Sequence, residues 1–223
     1  MPRIAETFAR LEAEGRRAFM PFLTAGDPDA ASTLACARAL VRAGASLIEL
    51  GFPYSDPIAD GPVIQASYTR ALERGLKIAE VFDIARAVRE VPVVGMASYS
   101  LVWRRGADAF LAQAREAGMA GLIVPDLPVE ESASLRGACA GAGLDLVQLV
   151  TPTTPRERAE RIVAQSMGFV YVVSVAGITG ERASLPDELA GQLAWLRTKT
   201  DLPLCVGFGV SRPEQVRMLR GHA

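Results

Sequence analysis

The stretch Ser46-Leu47-Ile48-Glu49-Leu50, running on into Gly51-Phe52-Pro53-Tyr54-Ser55-Asp56-Pro57-Ile58-Ala59-Asp60-Gly61-Pro62, is an apolar strand-like run with an acid inside it and a proline-rich loop behind it. In a strand, alternate side chains share a face, so Leu47 and Glu49 point one way and Ile48 and Leu50 the other. Both faces are therefore apolar apart from one carboxylate. A charged carboxylate is costly to bury, so Glu49 faces water, pairs with a cation, or has its proton affinity raised for use.

Outward from this run, the same unit repeats. Apolar strand candidates lie at 18–23, 46–50, 91–97, 121–124, 144–150, 169–174 and 202–206. Between them the apolar periodicity predicts helices at about 29–43, 62–73, 77–90, 107–117, 129–141, 155–166, 186–199 and 212–220. Ile4, Phe8 and Leu11 predict a further short amphipathic helix at the N-terminus. Asp27-Pro28 reads as a helix cap followed by a first-turn proline, and Thr154 with Glu157 and Ser211 with Glu214 have capping-box spacing.

Strands buried on both faces and separated by helices imply a parallel sheet, either doubly wound or closed as a (β/α)8 TIM barrel. No GxGxxG or Walker-type loop follows a strand, which favours the barrel. A barrel needs eight strands, whereas this pattern holds seven and the sequence stops at Ala223. The expectation is one barrel domain over residues 1–223 whose eighth strand and final helix are missing from this chain.

Composition narrows the function. Lys and Arg number 24 against 25 Asp and Glu, which gives no electrostatic footprint for nucleic acid or an anionic membrane. The N-terminus is charged rather than signal-like, and no segment approaches a membrane span, so a cytoplasmic location is expected. Cys36, Cys139 and Cys205 are read as reduced, buried, small hydrophobes rather than a disulfide or zinc framework. With His222 the only histidine, a Ser/His/Asp triad or a histidine metal cluster is excluded. Acid-base chemistry then falls to carboxylates, Lys, Tyr or Cys.

Barrel active sites form at the C-terminal ends of the strands. There this sequence places Thr24 to Asp27, Glu49, Asp60, Asp126, the stretch from Ser174 to Gly180, and Gly207-Phe208-Gly209. Glu49 reads as a catalytic acid or as half of a buried ion pair. Asp60 reads as a site residue or as a turn. The Gly207-Phe208-Gly209 turn suits an anion such as phosphate, or is simply a tight loop. The segment around Thr179 reads as a substrate lid or an inert surface loop.

The motifs Phe22-Leu23-Thr24-Ala25-Gly26-Asp27-Pro28, Ile48-Glu49-Leu50-Gly51-Phe52-Pro53-Tyr54-Ser55-Asp56-Pro57, Ala59-Asp60-Gly61-Pro62-Val63-Ile64-Gln65, Pro125-Asp126-Leu127-Pro128-Val129-Glu130-Glu131 and Gly207-Phe208-Gly209-Val210 closely resemble the tryptophan synthase alpha subunit family along the whole chain. The resemblance implies a lyase that cleaves indole-3-glycerol phosphate to indole and glyceraldehyde 3-phosphate by a retro-aldol reaction, without a cofactor. It also implies a partner, the pyridoxal-phosphate beta subunit in an alpha2beta2 complex, which receives the indole.

Carried over by position, Glu49 is the general acid-base group acting at indole C3, and Asp60 accepts the indole N–H. Phe22, Ile64, Ile123 and Tyr171 match the substrate pocket. Thr179 matches the lid threonine that meets the loop aspartate, and Gly180, Phe208 and Gly209 match part of the phosphate site. The loop carrying Asp56 matches the beta-subunit contact.

Two departures stand out. The family often has Tyr-Tyr-Asn or Tyr-Ala-Asn where this chain has Ser98-Tyr99-Ser100, and Tyr99 has the wrong strand parity to replace the lost tyrosine. The family also continues into an eighth strand and a phosphate-binding Gly-Ser turn. Alternative readings are a truncated, non-catalytic partner subunit, or another phosphate-binding barrel such as an isomerase of the same pathway.

Overall fold

The structure, a computed structural model, describes residues 4–57, 60–174, 186, 188–210 and 212–219. Seven strands alternate with helices: β1 Phe22–Thr24, β2 Ile48–Gly51, β3 Val93–Met96, β4 Gly121–Ile123, β5 Asp145–Val150, β6 Val170–Val173 and β7 Leu204–Gly207. Every strand pairs in parallel with its sequence neighbour, in the order β1 to β7. This is the (β/α)8 architecture, with seven of its strands among the described residues. β1 and β7 are the edges and are only partly covered, whereas β2, β3 and β6 are buried throughout.

Side-chain alternation divides the apolar residues as the sequence predicts. Leu47, Val94, Met96, Ile123, Val147, Phe169, Tyr171 and Val173 cluster inside the sheet. Ile48, Leu50, Val93, Leu122 and Leu146 belong to an outer cluster shared with the surrounding helices. The N-terminal helix α1, Ile4–Ala13, contributes Ile4 and Phe8 to the inner cluster, and the Phe8 ring stands 6.1 Å from that of Phe169. Its amphipathic stripe plugs the bottom of the sheet.

The outer helices are α2 Ala30–Arg42, α3 Pro62–Glu73, α4 Ile78–Ala87, α5 Tyr99–Arg105, α6 Ala107–Glu116, α7 Ala133–Ala142, α8 Arg156–Gln165, α9 Glu188–Arg197 and α10 Pro213–Leu219. Most lie within two residues of the predicted spans. The predicted 129–141 helix is instead a 3-10 turn, Val129–Glu131, followed by α7, with the buried Ser132 bonding back to the Val129 carbonyl at 2.9 Å.

α5 has no counterpart in the periodicity, because a seven-residue helix is too short to show one. Its start is built from polar groups. The Asp126 carboxylate accepts from the Tyr99 N–H at 2.8 Å and from Ser98 Oγ at 2.6 Å, and Ser98 Oγ accepts from the Ser100 N–H.

Two cap assignments need correction. The cap of α2 is Asp29, which accepts from the Ser32 N–H at 2.7 Å, while the Asp27-Pro28 peptide is cis and precedes the helix. Asp27 is held instead by Arg70 through two bonds of 2.7 and 2.8 Å. Thr154 makes no capping box with Glu157; the helix begins two residues later, and Thr154 Oγ1 accepts from the Thr151 N–H. Ser211 lies outside the described residues. Cys36 is exposed, against the expectation of three buried thiols, because it occupies the outer face of α2; Cys139 is buried and Cys205 half-buried.

No helix among the described residues is long and apolar enough to cross a membrane, and no group of three or more His, Cys, Asp or Glu among them could hold a metal.

Candidate active site

Strand alternation puts Glu49 on the inner face of β2, two residues above Leu47. It is only 3% exposed, and no Arg or Lys pairs with it among the described residues. Of the three options for an acid in such a strand, the ion pair is therefore not realised. Burial, reinforced by the negative charge of Asp60, pushes its carboxyl up to about 8. The fold thus favours the protonated form of Glu49.

Asp60 enters from the loop after β2. Its N–H donates to the Pro57 carbonyl at 3.1 Å, and its own carbonyl accepts from Gln65 Nε2 at 2.7 Å. The backbone of the aspartate is therefore fixed from both sides, by the loop and by the first turns of α3. Half-buried, its carboxyl is also raised by desolvation, and it couples to Glu49. Asp60 and Glu49 form one electrostatic unit, in which a negative charge on the first strengthens the hold of the second on its proton.

The walls follow from the neighbouring strands. Phe22 on β1 is in register with Glu49. Ile123, fully buried on β4, and Tyr171, buried on β6, belong to the same inner cluster. Cys205 on β7 pairs in register with Tyr171 and feels the charge of Glu49. Ile64, half-buried, is on α3. The end of β1 is latched to that helix by a 2.7 Å hydrogen bond between the hydroxyls of Thr24 and Ser67.

Two glycines at strand ends keep the mouth open for tyrosines. A Cβ on Gly207 would stand 2.0 Å from the Tyr171 hydroxyl. One on Gly51 would meet the Phe22 ring at 2.5 Å and the Tyr68 hydroxyl at 2.8 Å.

Beyond β7, Phe208 and Gly209 are consecutive left-handed residues, with φ of 63° and 69°. Such a turn brings successive N–H groups to one side, an arrangement that cradles anions. The Phe208 carbonyl is tied to Ser174 Oγ, and its ring lies 5.7 Å from that of Tyr171. Thr179 and Gly180 lie outside the described residues, as do Ile58 and Ala59 of the loop after β2.

The structure therefore brings Glu49, Phe22, Ile123 and Tyr171 to the inside of the sheet, with Asp60 electrostatically coupled to Glu49 and the Phe208 ring tilted against that of Tyr171. Asp126 is at the same end but is occupied as the cap of α5. The motif reading passed over Tyr54, Tyr68 and Cys205. Tyr68 had a signal: Ile64, Ser67, Tyr68 and Ala71 recur at helical spacing and form the covered side of α3.

This geometry is matched elsewhere. The family model described as "Tryptophan synthase alpha chain" aligns with residues 8–223. The chain belongs to the tryptophan synthase alpha chain family. Among curated relatives, the tryptophan synthase alpha chain of Rhodopirellula baltica is 50% identical over 225 residues, covering 98% of this chain and 81% of that protein. That of Synechocystis is 48% identical over 223 residues, covering 99% and 84%.

Among solved structures, Mycobacterium tuberculosis tryptophan synthase superposes with a TM-score of 0.92 at 33% identity, covering 99% of this chain and 86% of that one. The Legionella pneumophila tryptophan synthase subunit alpha gives 0.90 at 36% identity, with 100% and 84% coverage. Membership in the tryptophan synthase alpha chain family places the chain in tryptophan biosynthesis, in a lyase role.

Proposed function

We propose that the chain cleaves indole-3-glycerol phosphate into indole and glyceraldehyde 3-phosphate, with Glu49 as the general acid-base group and Asp60 as the anchor of the indole N–H. The observation that carries this reading is a glutamic acid on the inner face of β2 that is buried, unpaired by any cation among the described residues, and set near a second carboxylate that raises its proton affinity further.

The chemistry follows from those two groups. Glu49 gives its proton to indole C3, and the ring nitrogen supplies the electron pair and becomes positively charged. Asp60, accepting the N–H, stabilises that charge. The Glu49 carboxylate so formed takes the proton of the glycerol hydroxyl next to C3. The O–H electrons become the aldehyde C=O, the bond to C3 breaks, and its electron pair neutralises the ring nitrogen. Indole leaves carrying the proton at C3, and Glu49 is protonated again.

Phe22, Ile64, Ile123 and Tyr171 supply the apolar walls for a flat heterocycle. The amides around Phe208 and Gly209 suit the phosphate, while Gly180 and Thr179 are assigned by sequence position alone, the first to the phosphate and the second as the partner of Asp60. The loop bearing Asp56 faces the beta subunit in an alpha2beta2 assembly, where the indole is consumed. The alpha reaction itself draws on no cofactor.

An indole-release assay on indole-3-glycerol phosphate tests this, with parent, Glu49→Gln and Asp60→Asn, each with and without beta subunit. Loss of release in both variants supports the reading, and near-parental turnover in Glu49→Gln overturns it.

A further inference from the structure

Tyr68 is almost fully buried, at 2% exposure, although it lies on a surface helix. Its hydroxyl reaches the space above the Gly51 Cα, on the side to which a Gly51 side chain would point. Residues 49 and 51 share that side of β2, so the phenol stands one layer, about 6.6 Å along the strand, above Glu49 on the way to the mouth. The absence of a side chain at Gly51 creates the slot. The Phe22 ring shares it, and the Tyr54 ring packs 5.8 Å from that of Tyr68. α3 cannot drift outward while Ser67, the adjacent residue, is bonded to Thr24.

We propose that Tyr68 is a positioning residue: lodged over Gly51, it keeps water from reaching Glu49 along the α3 side and so sets the pH range over which that acid holds its proton. The proposal rests on Glu49 being the acid of the reaction. The titratable groups around Glu49 are Asp60 from the loop after β2, Tyr68 from α3, Tyr171 from β6 and Cys205 from β7. All four are acids, so none of them is a cation that would favour the Glu49 carboxylate. Apart from Asp60, what holds the proton on Glu49 is exclusion of water, and of Tyr68, Tyr171 and Cys205 only Tyr68 enters from outside the sheet.

The Tyr68 hydroxyl is itself pushed well above the ordinary phenol range, by burial and then by Asp60, Tyr54 and Glu49, so the group in the slot is the neutral phenol. Its function there is that of a wedge.

The test compares parent, Tyr68→Phe, Tyr68→Ser and Tyr68→Val, each checked for folding by circular dichroism. The short side chain of Val opens the same space without adding a polar group, and it serves if the Ser variant does not fold. The Glu49 carboxyl is titrated directly by infrared difference spectroscopy, with Glu49→Gln as the blank, and the pH profile of indole release is recorded in parallel.

The expected result is that Ser and Val lower the midpoint by about one pH unit, a tenfold rise in the dissociation constant, while Phe leaves it in place. An unmoved midpoint in the folded Ser or Val variant overturns the proposal, as does an equal shift in Phe. The spectroscopic titration needs no turnover. A parent that titrates as described yet releases no indole therefore counts against the proposed reaction and leaves the wedge standing.

Discussion

Tyr171 and Gly207 interlock across β6 and β7, the phenol oxygen occupying the space where a side chain on residue 207 would begin. The glycine at the strand end is thus a condition for the position of the tyrosine. Gly207→Ala should displace the ring or the strand, destabilising the fold by about 1–3 kcal/mol. Because Tyr171 is electrostatically coupled to Glu49, indole release should fall at least about tenfold, of the order of a one-ångström misplacement. Thermal melts and steady-state assays on one preparation would check both effects.

Glu49→Gln should make the protein more stable at alkaline pH while removing its activity. The carboxyl has a reference value of 4.5 and is raised in the fold to about 8. Below the lower value both the folded and the unfolded chain are protonated, so nothing is gained or lost. Between the two values the unfolded chain releases its proton and the folded one does not, so stability falls as pH rises. Above about 8 the loss is complete, at up to roughly 5 kcal/mol. Denaturant titrations at pH 5 and pH 9 should show the parent losing several kcal/mol more than the variant. Turnover should drop about 10²–10⁴-fold, the range for loss of a general acid.

Asp60→Asn removes the negative charge that adds to the burial of Glu49. The alkaline limb of the rate profile should move to lower pH, because Glu49 then gives up its proton more readily. The maximal rate should fall about 10²–10³-fold, as when a charge-stabilising group is lost from a transition state. A lowered plateau with an unmoved limb would separate the anchoring role of Asp60 from its effect on Glu49.

Asp126→Ala should behave differently from either carboxylate. Asp126 is occupied by the Tyr99 N–H and the Ser98 hydroxyl, so its loss uncaps α5 at a cost of about 1 kcal/mol. The titration of Glu49 should be unchanged, and indole release should stay within a few fold of the parent. A collapse of activity to the level of Glu49→Gln would show that Asp126 touches the substrate.

What could be read from the residues alone divides along physical lines. The period-two alternation of Leu47, Ile48, Glu49 and Leu50 fixes which face each takes, and the structure agrees because a strand buried on both sides has no freedom to turn over. Long amphipathic helices such as α3 are equally legible. Short elements are not: α5 depends on Asp126, 27 residues beyond Tyr99, and no local pattern reports that bond.

Asp27 and Asp29 are both suitable caps for α2 by residue type, and Asp27 is engaged instead by Arg70, 43 residues away, a bond that no local pattern reports. Within the site, the acid on the strand was visible as an anomaly of composition. Tyr68 was not, since an aromatic at helical spacing looks like ordinary core until the glycine opposite it is seen.

The N-terminal helix has a bearing on traffic. With Ile4 and Phe8 seated among the inner residues and Phe8 set against Phe169, the lower pole of the sheet is stoppered. The opposite pole, which this helix leaves uncovered, is the rim that bears Asp60, Phe208 and the ends of the strands. Access to the inner residues along the axis is thus one-sided, because the pole beneath Phe169 is taken by the helix.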